Sequence, residues 1–148
     1  MAKQTDPRLV QAMNAIASGQ PQQAESLCLS ILSEKKRDDL AMALLAQVYN
    51  STGKYDDAIQ LIRSAISKNN KRADYHGLLG DMLTTKGDFR KALDAYNKAS
   101  ELYPENVELL FWGAVILCTD DKFDIAKPMF EKIFKVDSDL REMVPRLE

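Results

Sequence analysis

The chain has 148 residues, of which 45% are hydrophobic and 28% charged, and this is the composition of an ordinary soluble globular protein. Its net charge of −2 argues against a nucleic-acid partner, which would require a basic face. No apolar run approaches the ~20 residues that span a bilayer, and the N-terminus lacks the apolar core of a signal peptide. We therefore expect a cytoplasmic protein with no membrane partner.

Apolar residues recur at helical spacing along the chain, whereas strand signals are sparse. Proline and capping residues mark several helix starts, since Asp6 precedes Pro7, and Pro21 follows a glycine turn. Pro128 lies about one turn inside the last helix, where we expect a slight kink and not a break. The sequence predicts helices at 7–18, 21–34, 38–52, 55–69, 72–86, 88–101, 105–119 and 123–136.

The chain repeats itself with a period of about 34 residues, and four frames align without a gap. The frames are 5–38, 39–72, 73–106 and 107–140. Columns 8, 20, 24 and 27 of this alignment hold a small or apolar residue in every frame. Column 15, where the chain must reverse, holds Gly19, Gly53, Gly87 and Asp121. Each frame therefore predicts a helical hairpin that buries its apolar face by stacking on its neighbours.

The third frame carries the most complete pattern. It contains LLGDML followed by Gly87, Ala92, Tyr96, Ala99 and Pro104. Together with the period of the four frames, this pattern closely resembles the tetratricopeptide repeat, and the resemblance covers residues 5–140. It implies an all-α, right-handed superhelical solenoid of four hairpins in one domain, with residues 141–148 as a short C-terminal cap or tail.

The two outer frames depart from the family pattern. In frame 1, Arg8 and Gln11 occupy columns that usually hold large apolar residues. In frame 4, Asp121 replaces the turn glycine, and Trp112 precedes Gly113 at columns 6 and 7. Because frame 1 is a terminal repeat, its outer face can be polar.

The resemblance also implies a function, because proteins of this family hold peptides on a concave face lined by the first helix of each hairpin. The packing stripe occupies columns 4, 7, 8 and 11, so columns 2, 5, 9, 12 and 13 are predicted to face that groove. These columns contain four acidic residues and no Lys, Arg or His. That composition argues against the acidic tails that basic clamp residues bind in related modules, and it favours an extended or helical segment that is apolar and carries basic residues.

Three kinds of contact are expected in this groove. Apolar contact is expected from Leu9, Met13, Phe111 and Val115. Acidic groups that would pair with a basic partner are Asp74, Asp81 and Glu108. Hydrogen bonds to a peptide backbone are expected from Gln47, Asn50 and Thr84. The competing interpretation is that the apolar groups complete the packing and that the acids are solvated.

No catalytic, metal-binding or phosphate-binding motif is present, so we expect neither enzymatic activity nor a cofactor. The single histidine, His76, occupies a packing column. Cys28 and Cys118 are predicted to be reduced thiols that serve as small apolar residues.

The C-terminal end is a second candidate surface. Leu140, Met143, Val144 and Leu147 follow helical spacing and could cover Ile125, Met129, Ile133 and Phe134. A minimal cap, truncation of a longer protein and a homodimer contact all remain open. The scaffold function likewise has two alternatives, namely a non-catalytic segment of a larger sulfotransferase- or glycosyltransferase-like enzyme and a self-associating structural module.

Overall fold

A computed structural model describes residues 5–103, 107–119 and 121–136 of the chain. Within these ranges every regular element is an α-helix, which confirms the all-α prediction for the described part of the chain. The helices are α1 (Pro7–Ala17), α2 (Pro21–Glu34), α3 (Asp39–Ser51), α4 (Tyr55–Lys68), α5 (Ala73–Lys86), α6 (Phe89–Leu102), α7 (Glu108–Thr119) and α8 (Phe123–Val136).

The helix ends lie within one residue of the predicted ends, with the start of α7 as the exception. This helix was predicted to begin at residue 105, and it begins at Glu108. Val107 is the flanking residue, because it is not helical while its carbonyl already accepts a hydrogen bond from the N–H of Phe111 at 2.9 Å. The helix α8 continues through Pro128 without a break, as predicted.

Two helices begin with an aspartate that caps the first turn. The Asp6 carboxylate accepts a hydrogen bond from the backbone N–H of Arg8 at 2.9 Å, and Pro7 occupies the first helical position. The Asp38 carboxylate accepts one from the N–H of Ala41 at 3.0 Å. Each cap satisfies a backbone donor that has no partner within its helix, so the short polar residues before α1 and α3 determine where these helices start.

The turn inside every hairpin has the same backbone conformation. The residue of column 15 adopts a positive φ in all four frames. The angles are 70° at Gly19, 86° at Gly53, 90° at Gly87 and 58° at Asp121. A left-handed residue lets the chain reverse directly after a helix, and aspartate tolerates this conformation better than most side chains do. Asp121 therefore replaces the turn glycine without changing the hairpin.

The repeated columns form the interior of the hairpins. Every residue of columns 8, 20, 24 and 27 is buried, which confirms their predicted packing role. The four alanines of column 20, one in each second helix, are 0% exposed; they are Ala24, Ala58, Ala92 and Ala126. Because an alanine has only a methyl group, the two helices of each hairpin can approach closely at this column.

The chain divides into two compact units, residues 1–71 (unit 1) and 72–148 (unit 2), and the border nearly coincides with that between frames 2 and 3. Each unit contains two hairpins. In unit 1, α2 packs on α3 and the first helices α1 and α3 touch; in unit 2, α6 packs on α7 and the first helices α5 and α7 touch. The predicted single domain over residues 5–140 stays a prediction, since the structure describes two units.

Tyr96 of α6 is the central side chain of unit 2. It is 0% exposed, and its ring lies against two glycines, Gly80 of α5 and Gly113 of α7. A Cβ atom added at either glycine would lie less than 3 Å from the ring. The Tyr96 hydroxyl donates a hydrogen bond to the carboxylate of Asp81. The ring therefore requires glycine on two neighbouring helices, and its polar end requires an acceptor on α5.

Arg8 explains the departure of frame 1 from the family pattern. Its guanidinium donates to the Glu34 carboxylate at 2.7 Å, to the Asp6 carboxylate at 2.8 Å and to the Ser30 hydroxyl at 3.0 Å. An ionic clasp thus joins the start of α1 to the end of α2, at a column where other frames use packing. The hydrogen bonds from Arg8 hold the pKa values of both carboxyl groups below their usual range.

We expect Arg8→Ala to cause a small drop in the midpoint of thermal unfolding at pH 7. Because the carboxyl pKa values of Asp6 and Glu34 are lowered in the folded state, the clasp stabilises fully above their unfolded values of about 4. This stabilisation is lost as the pH falls through the lower folded values, so the difference from the native chain should disappear in acid. Thermal unfolding of both chains, followed by circular dichroism at several pH values, measures this difference. Arg63→Ala, at an exposed position of α4, is the control. An equal drop at neutral and acid pH would contradict the ionic role.

The C-terminal prediction concerns residues that the structure does not describe. Leu140, Met143, Val144 and Leu147 lie outside the described residues, as do residues 137–148 in general. Of the side chains that they were predicted to cover, Met129 and Ile133 are buried, with exposures of 4% and 0%. The capping helix therefore stays a prediction.

Candidate functional site

The residues of column 5 were predicted to face a groove, and the structure places them in the packed interior. Leu9 is 5% exposed and lies in the core of unit 1 with Cys28 and Leu45. Phe111 is 3% exposed, and its ring meets that of Phe130 edge-on with centroids 6.1 Å apart. Column 5 shares the buried stripe, because it lies three positions before column 8 and residues so spaced lie on one side of a helix. The predicted partner contacts of Leu9 and Phe111 are corrected accordingly.

Column 12 is only partly accessible. Thr84 is 8% exposed, and its hydroxyl donates to the carbonyl of Gly80 at 2.8 Å, so its predicted contact with a peptide backbone is also corrected. Asn50 is half-buried on α3, and its side-chain oxygen has no hydrogen-bond partner among the described residues. A buried amide oxygen without a donor is destabilising, which makes Asn50 an unusual side chain for a purely structural position.

Column 9 holds side chains that are at least partly accessible. Met13 on α1 is 47% exposed, and Gln47 on α3 is half-buried. In unit 2, Asp81 on α5 and Val115 on α7 are also half-buried. The first helices touch within each unit, so the two column 9 residues of a unit lie on neighbouring helices. The binding role of column 9 stays a prediction.

The two described acidic groups of the predicted site have different surroundings. Asp74 is exposed and forms a two-point ion pair with Arg72, at 2.7 and 3.0 Å. Asp81 accepts the hydrogen bond from Tyr96, and burial raises the pKa of its carboxyl group. Glu108 begins α7, and its side chain lies outside the described residues.

Sequence reasoning missed one apolar side chain near the predicted site. Val10 on α1 is 46% exposed, comparable to Met13 one helical turn further on. It belongs to column 6, which the other frames fill with Leu44, Leu78 and Trp112. An apolar residue at the same column of every frame was the available signal, although that signal equally predicts packing.

The described residues show no arrangement typical of an active site. His76 is 8% exposed within α5, in agreement with its packing column. Cys28 is 0% exposed, and burial raises the pKa of its thiol to about 11, which disfavours the reactive thiolate. No group of three His, Cys, Asp or Glu side chains in the described ranges could hold a metal ion. None of the described helices is both long and apolar enough to cross a membrane.

These features define a class of protein, namely an α-helical hairpin repeat with accessible positions on its first helices. A tetratricopeptide repeat family profile matches residues 15–82, and a second profile of the same description matches residues 73–106. The chain belongs to the tetratricopeptide repeat family.

Two proteins are similar to the chain in sequence. The chain is 28% identical over 89 residues to anaphase-promoting complex subunit 7 of human and of mouse. The match covers 60% of this chain but only 16% of each relative. The chain thus spans a small part of the curated proteins that it matches.

Solved structures show the same fold. MamA from Desulfovibrio magneticus is similar with a TM-score of 0.76 and 18% identity, over 90% of this chain and 75% of that one. Another MamA structure is similar with a TM-score of 0.72 and 16% identity, over 86% and 74%. A mutant of the O-GlcNAc transferase of Thermobaculum terrenum has a TM-score of 0.72 and 27% identity, over 75% of this chain and 21% of that one.

Proposed function

We propose that the chain is a non-catalytic protein-interaction module that binds a polypeptide segment through the accessible side chains of its first helices. The observation that carries the proposal is the surface of unit 1. An exposed methionine, Met13, lies on one first helix, and Asn50 lies on the other with a side-chain oxygen that has no hydrogen-bond partner among the described residues. Neither feature benefits the folded chain by itself, because one exposes apolar surface and the other leaves a polar atom unsatisfied. Membership of the tetratricopeptide repeat family supports the proposal.

The chemistry of unit 1 suits an apolar segment in contact with amide groups. Met13 is flexible and polarizable, so it can adapt to different apolar side chains of a partner. Gln47 and Asn50 can donate and accept hydrogen bonds with a peptide backbone. Rotation of the Asn50 amide would bring its buried oxygen to a donor, so binding would remove an unfavourable feature of the free protein.

The chemistry of unit 2 suits a basic residue beside an apolar one. Asp81 supplies a carboxylate that Tyr96 already orients, and Val115 supplies apolar contact on the adjoining helix. Asp74 contributes less in this proposal, because its charge is paired with Arg72 on the surface. The proposed partner is therefore an extended or helical segment that is apolar and carries at least one Lys or Arg.

We expect Met13→Glu to remove most binding of the natural partner without unfolding the chain. The experiment is capture from a lysate of the source cell, with quantification by mass spectrometry of each protein retained by the native chain and by the variant. Leu29→Glu is a matched control, because Leu29 is 46% exposed but lies on a second helix. A protein that is lost with Met13→Glu and kept with Leu29→Glu supports the proposal. Equal retention by both variants contradicts it.

One observation favours the alternative that the chain is a non-catalytic segment of a larger enzyme. The O-GlcNAc transferase match covers most of this chain and only 21% of that protein, at 27% identity. In this alternative the repeats would hold a protein substrate for a catalytic part elsewhere. The length of the natural reading frame separates the two candidates, because a transferase domain encoded in the same frame would favour the enzyme segment.

A further inference from the structure

Unit 2 contains an open groove that the proposed function does not use. It lies between the second helices α6 and α8 and has a volume of about 560 Å³, and none of the residues predicted to bind a partner lines it. A smaller cavity of about 290 Å³ continues the groove past Arg90 and Asp124 to the two hairpin turns. Since residues of both turns line this same cavity, both helices begin at the same end of the groove.

The groove has an apolar wall and a backbone acceptor. Leu93 of α6 and Ile125, Pro128 and Met129 of α8 provide apolar surface. Pro128 has no N–H, so the carbonyl of Asp124, one turn earlier, lacks its usual donor within the helix. A partner that enters the groove would meet both features, because both residues line it.

Two positive and two negative side chains line the groove, and the positive ones are the less compensated. Among the described residues, neither Arg90 nor Lys132 has an ion pair or a hydrogen bond from its side chain. By contrast, the Glu101 carboxylate lies 3.7 Å from the ammonium group of Lys98, which is outside the groove. Asp124 lies in the first turn of α8, where the helix dipole stabilises a negative charge. The groove therefore complements acidic groups.

The spacing of the two cations along the groove can be read from the helices. Arg90 is level with the start of α8, because it shares the smaller cavity with Asp124. Lys132 lies on the same helix as Asp124, further from its start, and the helical rise of about 1.5 Å per residue separates the two by roughly 12 Å. Two acidic residues about seven or eight positions apart on a helix have the same separation.

We propose that this groove binds an amphipathic helix of another protein. Its apolar stripe would pack on Leu93, Ile125 and Pro128, and two acidic residues seven or eight positions apart would pair with Arg90 and Lys132. This surface is separate from column 9 and selects the opposite charge, so the module would hold two partners of different chemistry. If an experiment disproves binding at one of these two surfaces, the proposal for the other surface is unaffected.

Two synthetic helical peptides with the same leucine stripe test the proposal. One carries two glutamates about seven positions apart and the other carries two lysines at the same positions. We expect the glutamate peptide to bind the full chain at least about tenfold more tightly, as measured by fluorescence anisotropy. The double variant Arg90→Glu/Lys132→Glu should reverse this preference. The control, Lys127→Glu/Lys135→Glu, changes two exposed lysines of α8 outside the groove and should preserve it.

Each other outcome overturns the proposal. The groove does not bind an acidic helix if the two peptides bind with equal affinity or not at all. The same conclusion follows if the preference for glutamate survives the double charge reversal. Concentration-dependent association of the chain alone, abolished by the double variant in sedimentation, would make a second copy the occupant. Binding that appears only after Leu140→Glu/Met143→Glu would make residues 137–148 the occupant.

Discussion

Replacing Gly113 by alanine is expected to destabilise unit 2 by about 2 kcal/mol, although alanine is the better helix former. The added Cβ would lie 2.8 Å from Cδ2 of Tyr96. The ring cannot retreat, because it is 0% exposed and Gly80 lies against it, where a Cβ would be 2.7 Å from Cε1. Urea unfolding followed by fluorescence reports this unit, since the single tryptophan, Trp112, is in α7.

A double-mutant cycle separates this steric effect from helix propensity. Tyr96→Leu is destabilising by itself, because it leaves a cavity, but it also removes the atoms that the new Cβ would meet. In that background, Gly113→Ala should lower the free energy of unfolding much less than it does in the native chain. Additive free energies in the two backgrounds would show that the glycine is not required by the tyrosine ring.

Tyr96→Phe is expected to lower the free energy of unfolding by about 1.5–3 kcal/mol at pH 7, because it removes a hydrogen bond to a buried carboxylate. The loss should depend on pH. Burial raises the pKa of Asp81 in the folded state, and without the tyrosine hydroxyl the pKa would rise further. A raised carboxyl pKa means that stability falls as the pH rises from the unfolded value of about 4 through the folded value. The deficit of the variant should therefore be smallest in acid and largest at neutral pH.

Equilibrium unfolding of the native chain and of Tyr96→Phe at a series of pH values measures this dependence. Tyr103→Phe is a matched control, because Tyr103 follows the same helix and is 49% exposed. We expect no deficit from the control at any pH. A deficit of Tyr96→Phe that is independent of pH would contradict a charged Asp81 as the acceptor.

Most of the fold could be predicted from the chain because its signals are local or repeated. A proline or aspartate at a helix start acts on the next turn of backbone, as Asp6 and Asp38 do. Column 15 reads as a turn in four places, so even the aspartate at position 121 could be placed by analogy with three glycines. The period of the repeat then located the buried columns, because each hairpin solves the same packing problem.

The candidate site could be predicted only in part. The side chains of column 9 are exposed or half-buried, whereas Leu9 and Phe111 of column 5 are in the core. Angular position on an isolated helix gives the middle of a buried stripe reliably but not its width, because that width depends on how many neighbours pack against the helix. The α6–α8 groove has no counterpart in the sequence pattern, since it arises from two helices that the whole of α7 separates in sequence.

The sequence by itself determined the helices, their caps, the turns and the repeated interior, since each of these depends on neighbours along the chain or on a pattern written four times. Only the tertiary structure showed the roles of side chains whose contacts occur in a single repeat. It assigned the ionic clasp to Arg8, placed the ring of Tyr96 between glycines of two other helices, and directed its hydroxyl to Asp81. The physical reason is that these contacts occur once and join different helices, so their geometry exists only after the hairpins have packed.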